Sequence, residues 1–146
     1  MKLRSLLFVP ADSERKFAKA NGIGADALIL DLEDSVAASR KAFARGAVRE
    51  LLAGGPRNWS FLVRINPLDS GLSLEDLAAV VRPGLDGLLL PKVNGIDDVD
   101  LIANYVDALE IAAGVTPGHI KLLTVATVKS LTCPGVTPAA TSSAST

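Results

Sequence analysis

Five short apolar runs, Leu3 to Val9, Ala27 to Asp31, Phe61 to Ile65, Gly87 to Pro91 and Ile120 to Ala126, recur about every 30 residues, the length of one strand-helix unit. Each run is continuous or nearly so, the pattern of strands covered on both faces, and such strands are typically parallel. Parallel neighbours need crossover connections, so the intervening segments should be helices. Between Asp34 and Leu52, Ala44, Ala47, Val48 and Leu51 share one helical face while Lys41, Arg45 and Arg49 share another. Beyond Ile96, the positions Val99, Ile102, Val106, Leu109 and Ala113 step by three and four, with Asp97 and Asp98 in the first turn and Gly114 as a C-cap. Ser73 with Asp76 suggests a capping box for a short helix that ends at Arg82-Pro83-Gly84, and Asp12 or Ser13 can cap a first helix through Ala20. The alternation specifies an α/β fold with right-handed crossovers. Two architectures satisfy it: a five-stranded doubly wound sheet, or the first five strands of a (β/α)8 barrel.

With 146 residues, 49% hydrophobic and 21% charged, the chain has material for one well-packed domain. A net charge of -1 leaves no global basic surplus for a nucleic-acid backbone. No apolar stretch approaches the roughly 18 residues of a membrane span, and Pro10, Asp12 and Glu14 interrupt the first run too early for a signal peptide. A soluble, cytoplasmic protein binding neither nucleic acid nor membrane is expected. The single Cys133 has no partner for an internal disulfide. Every charged residue lies at or before Lys129, and the remainder is rich in Ser and Thr with Pro134, Gly135 and Pro138. The expected division is therefore a folded domain over 1-127 and a disordered tail over 128-146.

In both architectures function sits where strands end. Asp31, Glu33 and Asp34 follow the second run, Arg64 and Asn66 the third, and Lys92 and Asn94 the fourth. Three close acids suit a hard cation such as Mg2+, whereas Asp34 equally suits the N-cap of the next helix. Asp31 ends an apolar strand and needs a partner or a task. Arg64 can clamp a ligand carboxylate with two parallel hydrogen bonds, or pair with Asp31 or Glu33. Arg15, Lys16 and Lys19 form a basic helix face, which suits an anion or plain solvation. Gly22-Ile23-Gly24 precedes a strand, the wrong context for a dinucleotide loop, and no Walker A motif occurs. His119, in a Thr116-Pro117-Gly118 turn, reads as a surface residue, and Phe17, Phe43, Trp59 and Tyr105 as core or boundary.

Four segments, Arg4-Ser5-Leu6-Leu7-Phe8-Val9-Pro10-Ala11, Asp31-Leu32-Glu33-Asp34-Ser35-Val36, Arg64-Ile65-Asn66-Pro67 and Leu89-Leu90-Pro91-Lys92-Val93, resemble in order and spacing the strand-end motifs of the HpcH/HpaI aldolase and citrate lyase family, in its citrate lyase beta-subunit-like branch. The resemblance runs from about residue 2 to 127. It implies a (β/α)8 barrel, trimeric or hexameric or part of a lyase complex. It also implies Mg2+-dependent cleavage or formation of a carbon-carbon bond in citryl, malyl or citramalyl thioesters of coenzyme A or an acyl-carrier protein. By the same resemblance Arg64 holds the substrate carboxylate, Asp31 and Glu33 support the metal from behind, Lys92 lies beside the site, and Phe8, Arg15 and Lys19 contact the coenzyme A portion.

The similarity stops after Val125-Ala126-Thr127, where the family continues with a metal-binding Glu and this sequence has Val128-Lys129. The second metal-binding acid, an Asp after the sixth strand, has no counterpart either. An eight-unit barrel takes about 250 residues, so the expectation is a barrel truncated after its fifth strand by a frame shift or early stop. It would be inactive as a lyase, and the alternatives are a non-catalytic coenzyme A or acyl-carrier binding fragment, a non-functional frameshifted product or, behind these, a doubly wound binding domain.

Overall fold

A computed structural model describes residues 3-125. Five strands, β1 (Leu6–Pro10), β2 (Ala27–Asp31), β3 (Ser60–Arg64), β4 (Gly87–Leu90) and β5 (Lys121–Thr124), alternate with four helices, α1 (Glu14–Asn21), α2 (Lys41–Leu52), α3 (Ser73–Val80) and α4 (Ile96–Ala112). All neighbouring strands are parallel, and the order across the sheet is β1-β2-β3-β4-β5. A doubly wound sheet reverses its strand order at a switch point. This one never does, so the barrel-type arrangement of successive strand-helix units is the correct one of the two.

Alternate residues of each strand serve two different cores. Leu28, Leu30, Phe61, Val63, Leu88 and Leu90 face the helices and pack with Ala44, Val48, Leu52, Leu77, Val80, Ile102 and Val106. Ala27, Ile29, Leu62 and Leu89 face the opposite way, with Leu3 and Leu123 against them. This double burial explains the continuous apolar runs of β2, β3 and β4. At β1 the second face is more open, and Leu6 and Phe8 remain 44% and 49% exposed.

Gly87 lies where β4 is pressed from both sides. A methyl group there would sit 2.8 Å from the Lys121 carbonyl oxygen and 2.9 Å from Leu62 Cδ2. Since the first obstacle is backbone, Gly87→Ala is expected to cost about 1–3 kcal/mol through overpacking. Urea unfolding of the two chains checks this.

Helix ends depart from the sequence reading in instructive ways. Ser13 does cap α1, accepting from the Lys16 N–H. Gly114, at φ +71°, closes α4 in a Schellman arrangement, with Gly114 N–H donating to Ile111 O and Val115 N–H to Glu110 O. The second helix, however, begins at Lys41 after a 3-10 turn over Ala38–Arg40, and no side chain caps it. Asp34 is therefore not its N-cap. The Asp31 carboxylate holds the N–H groups of Glu33 and Ser35 in a loop instead. Nor does Ser73 form a capping box with Asp76: no side chain caps α3, and Asp76 is fully buried with other partners.

The first strand starts at Leu6 because the Asp26 carboxylate takes the N–H groups of Arg4 and Ser5. Phe43 is exposed under the Arg40 guanidinium, 4.4 Å from its ring centre, rather than in the core. Tyr105 is exposed as well, whereas Trp59 and Phe17 meet edge-to-face and pack, partly buried, against the core. His119 lies in an exposed turn, as its sequence context suggests. Among the described residues no helix is long and apolar enough to cross a membrane. Ala126, Thr127, Val128, Cys133 and the rest of the Ser/Thr-rich segment lie outside the described residues.

Candidate functional site

Parallel pairing in register places Pro10, Asp31 and Arg64 side by side at the carboxyl ends of β1, β2 and β3. From these adjacent positions the Arg64 guanidinium grips Asp31 in a two-pronged contact, Nε to Oδ1 at 2.7 Å and Nη2 to Oδ2 at 2.7 Å. Its third nitrogen, Nη1, lies 3.1 Å from Glu33 Oε2 and 3.5 Å from Asp34 Oδ2. The guanidinium carbon sits 4.9 Å from the centre of the Phe8 ring, a cation–π distance. Across the mouth, Lys92 Nζ is 2.8 Å from Glu33 Oε1. That contact is an ion pair whose angles are not those of a hydrogen bond, since Oε1 accepts none.

Five of the seven residues singled out by the sequence, Asp31, Glu33, Arg64, Lys92 and Phe8, thus form one cluster. Arg15 and Lys19 stand apart on the exposed face of α1, where neither joins an ion pair among the described residues.

Burial and charge pairing set the protonation states. Asp31 is 2% exposed, and desolvation alone would raise its pKa. The bonds from Arg64, the Ser35 side chain and the Glu33 and Ser35 N–H groups outweigh that and hold it at about 2. Arg64 is raised above its ordinary value, first by its hydrogen bonding to Asp31 and against the cost of burial. Lys92 is raised by Glu33. Lys92 is also the one non-glycine residue at positive φ, +50°, among the described residues. That conformation costs an L-residue roughly 1 kcal/mol or more, so its charge is delivered to Glu33 by a strained backbone.

A carboxylate site for Mg2+ needs oxygens free of other cations. Here both Asp31 oxygens are engaged by Arg64, and Glu33 lies between Arg64 and Lys92. Among the described residues no three His, Cys, Asp or Glu side chains converge as a metal cage. These residues therefore do not fit the ion by themselves. They make an arginine held by three acids, with Lys92 as the second cation of the cluster.

Of the supports behind the cluster, only Asn66 stood among the strand-end polar residues in the sequence; Lys41 and Asp76 did not. Lys41 Nζ donates to the carbonyls of Leu32 and Glu33, the latter at 2.6 Å. Asn66 Nδ2 donates to Leu32 O at 3.1 Å and to Asp76 Oδ2 at 2.7 Å. A signal for Asp76 did exist: with Ser73, Leu77 and Val80 it falls on a three-and-four stripe, the buried face of α3. A carboxylate in such a stripe must be bonded inside the protein.

The family model for HpcH/HpaI aldolase/citrate lyase matches residues 4–133 of the chain. The citrate lyase subunit beta of Escherichia coli strain K12 is 41% identical over 121 residues, covering 82% of this chain and 40% of that protein. A (3S)-malyl-CoA thioesterase of Cereibacter sphaeroides is 38% identical over 104 residues, covering 70% of this chain and 36% of that protein. Among solved structures, the citrate lyase beta subunit of M. tuberculosis complexed with oxaloacetate and magnesium aligns with a TM-score of 0.59 at 30% identity, over 82% of this chain and 56% of that one. The chain spans about two-fifths of the length of the curated relatives it matches.

Proposed function

The chain belongs to the HpcH/HpaI aldolase/citrate lyase family, and on that premise we propose that its mouth is the carboxylate-facing half of a carbon-carbon lyase site of the citrate lyase beta type. The substrate class is a 3-hydroxyacyl thioester of coenzyme A or an acyl-carrier protein, of the citryl, malyl or citramalyl kind. The observation that carries this reading is the Arg64 cluster, an arginine held in two-pronged contact by Asp31 and flanked by Phe8 at the mouth. Asp31 fixes the plane of the guanidinium, so Arg64 meets a substrate carboxylate without first losing side-chain freedom. Its Nε and Nη2 edge is committed to Asp31, which leaves Nη1 as the nitrogen presented to the ligand. Glu33 can yield Nη1 because Lys92 still neutralises it from 2.8 Å. Phe8 and the basic α1 residues Arg15 and Lys19 then face the thioester carrier.

Cleavage of such a substrate would remove the C3 hydroxyl proton and break the C2–C3 bond, so that C3 becomes the carbonyl of a 2-keto acid and the bonding pair stays on C2 as a thioester enolate, which takes up a proton to give the acetyl thioester. The family's Mg2+ would stabilise the developing oxygen charge, and the acids described here are not free to hold it. Val128 stands where the resemblance places a metal-binding Glu. The expected result is that the 146-residue chain shows no Mg2+-stimulated cleavage of malyl-, citramalyl- or citryl-CoA. Turnover by the purified chain that is abolished by Arg64→Lys would establish it as an active lyase instead. A second reading, a coenzyme A-binding module without catalysis, is favoured by the exposed basic face of α1. It expects calorimetric heat on titration with coenzyme A that disappears in the Arg15→Glu/Lys19→Glu variant. Homo-oligomers or a lyase complex, in the cytoplasm, complete the proposal.

A further inference from the structure

We propose that Asn66 and Asp76 are positioning residues for the mouth, and that they set the separation of the strand ends and following loops that carry Arg64 and the acids Asp31 to Asp34. The inference rests on the reading of that mouth as a ligand site and names how its geometry is held. Asp76 is fully buried on α3 and accepts three bonds at 2.7 Å, from the Asn66 N–H, from Asn66 Nδ2 and from Arg45 Nε of α2. Asn66 follows Arg64 by two residues, so gripping its backbone and amide at once fixes the chain that carries the arginine. The same Asn66 amide reaches the carbonyl of Leu32, between Asp31 and Glu33. Lys41 holds that carbonyl and the next one from the other side. One carboxylate therefore ties α2, α3 and both loops together behind the cluster, while touching none of Asp31, Glu33, Arg64 or Lys92.

Nothing about stability alone demands this route. Glu110 is an equally buried acid that also receives backbone N–H groups, yet it lies at the opposite end of the sheet, before β5. The two acids separate positioning from plain structural support. Replacing Asp76 by Asn would set an NH2 group against the Asn66 amide or the Arg45 guanidinium, donor against donor. Freed of that grip, the end of β3 that carries Arg64 shifts and loosens the two-pronged contact with Asp31.

The test is an NMR comparison of the intact chain with Asp76→Asn, Asn66→Ala and Glu110→Gln. It reads the Asp31 carboxyl titration and the solvent exchange of the Arg64 Nε–H, with melting temperature recorded for each. In Asp76→Asn and Asn66→Ala, the Asp31 midpoint is expected to rise from about 2 toward the ordinary 3.8, and the Arg64 Nε–H to exchange faster. Glu110→Gln should lower the melting temperature and leave both signals where they were. If Asp76→Asn does not fold, Asn66→Ala carries the test, since it keeps the Asp76 to Arg45 pair. Unchanged Asp31 and Arg64 signals in whichever of these two folds would overturn the proposal. Because no ligand is used, a failure to bind thioester would sink the functional reading and leave this one standing.

Discussion

Arg64→Met is expected to destabilise the protein by about 3–5 kcal/mol at neutral pH, the usual cost of removing one partner from a buried ion pair. Methionine keeps much of the side-chain volume, so the loss is chiefly electrostatic. Asp31, 2% exposed, would lose the guanidinium that now neutralises it, whereas Glu33 would retain Lys92. Partial access of water to the Arg64 side chain, 18% exposed, puts the figure toward the lower end of the range. The effect has a definite pH dependence. In the parent chain the Asp31 pKa falls on folding from 3.8 to about 2. Its stabilising contribution is full above 3.8 and is lost as pH drops through about 2. Without Arg64, burial dominates and pushes the Asp31 pKa upward, so protonation relieves the variant as pH falls. The difference between the two chains should therefore be largest near pH 7 and shrink toward pH 3. Denaturant unfolding at several pH values measures it, and a pH-independent difference would contradict the pairing.

Glu110→Ala is expected to cost about 3 kcal/mol or more. The carboxylate accepts the N–H groups of Gly118 and Ile120, each at 2.6 Å, and a hydrogen bond to a charged group contributes roughly 1.5–3 kcal/mol. Gly118 lies in an exposed turn where water can replace the acceptor, whereas Ile120 is buried and its N–H would be left alone. Truncation also leaves a cavity against the sheet. Since both donors lie just before β5, amide hydrogen exchange should quicken there first and only later in β2 and β3. Uniform acceleration across the sheet would show that the acid supports the fold globally instead.

The strands were legible because a sheet buried on both faces leaves an apolar run in the sequence with nothing to mimic it. Arg64 and Asp31 were legible as partners for a related reason: each ends such a run, and the ends of neighbouring parallel strands lie together. The positions of the helices read less well, because local signals competed with distant partners. Asp34 has the spacing of an N-cap, but the Asp31 carboxylate takes the N–H groups of Glu33 and Ser35 on either side of it, and α2 begins only at Lys41. Ser73 and Asp76 have the spacing of a capping box, yet Arg45 and Asn66, ten and more residues away in sequence, claim the carboxylate. Lys41, read as part of a polar helix face, bends back to two carbonyls of the acid loop. These contacts depend on which loops the fold brings together, and nothing in local spacing announces that.

Three carboxylates at the amino ends of the strands each belong to one strand-helix unit and hold the backbone of another. Asp26, before β2, takes N–H groups of the chain entering β1; Asp86, before β4, takes the Phe61 N–H of β3; and Glu110 of α4 takes the N–H before β5. A parallel strand displaced by one residue would present its side chains to the wrong core, and here it would also carry an N–H away from a fixed acid. The acids therefore act as alignment pins: an out-of-step sheet loses charged hydrogen bonds as well as packing, and slippage is selected against as the units assemble.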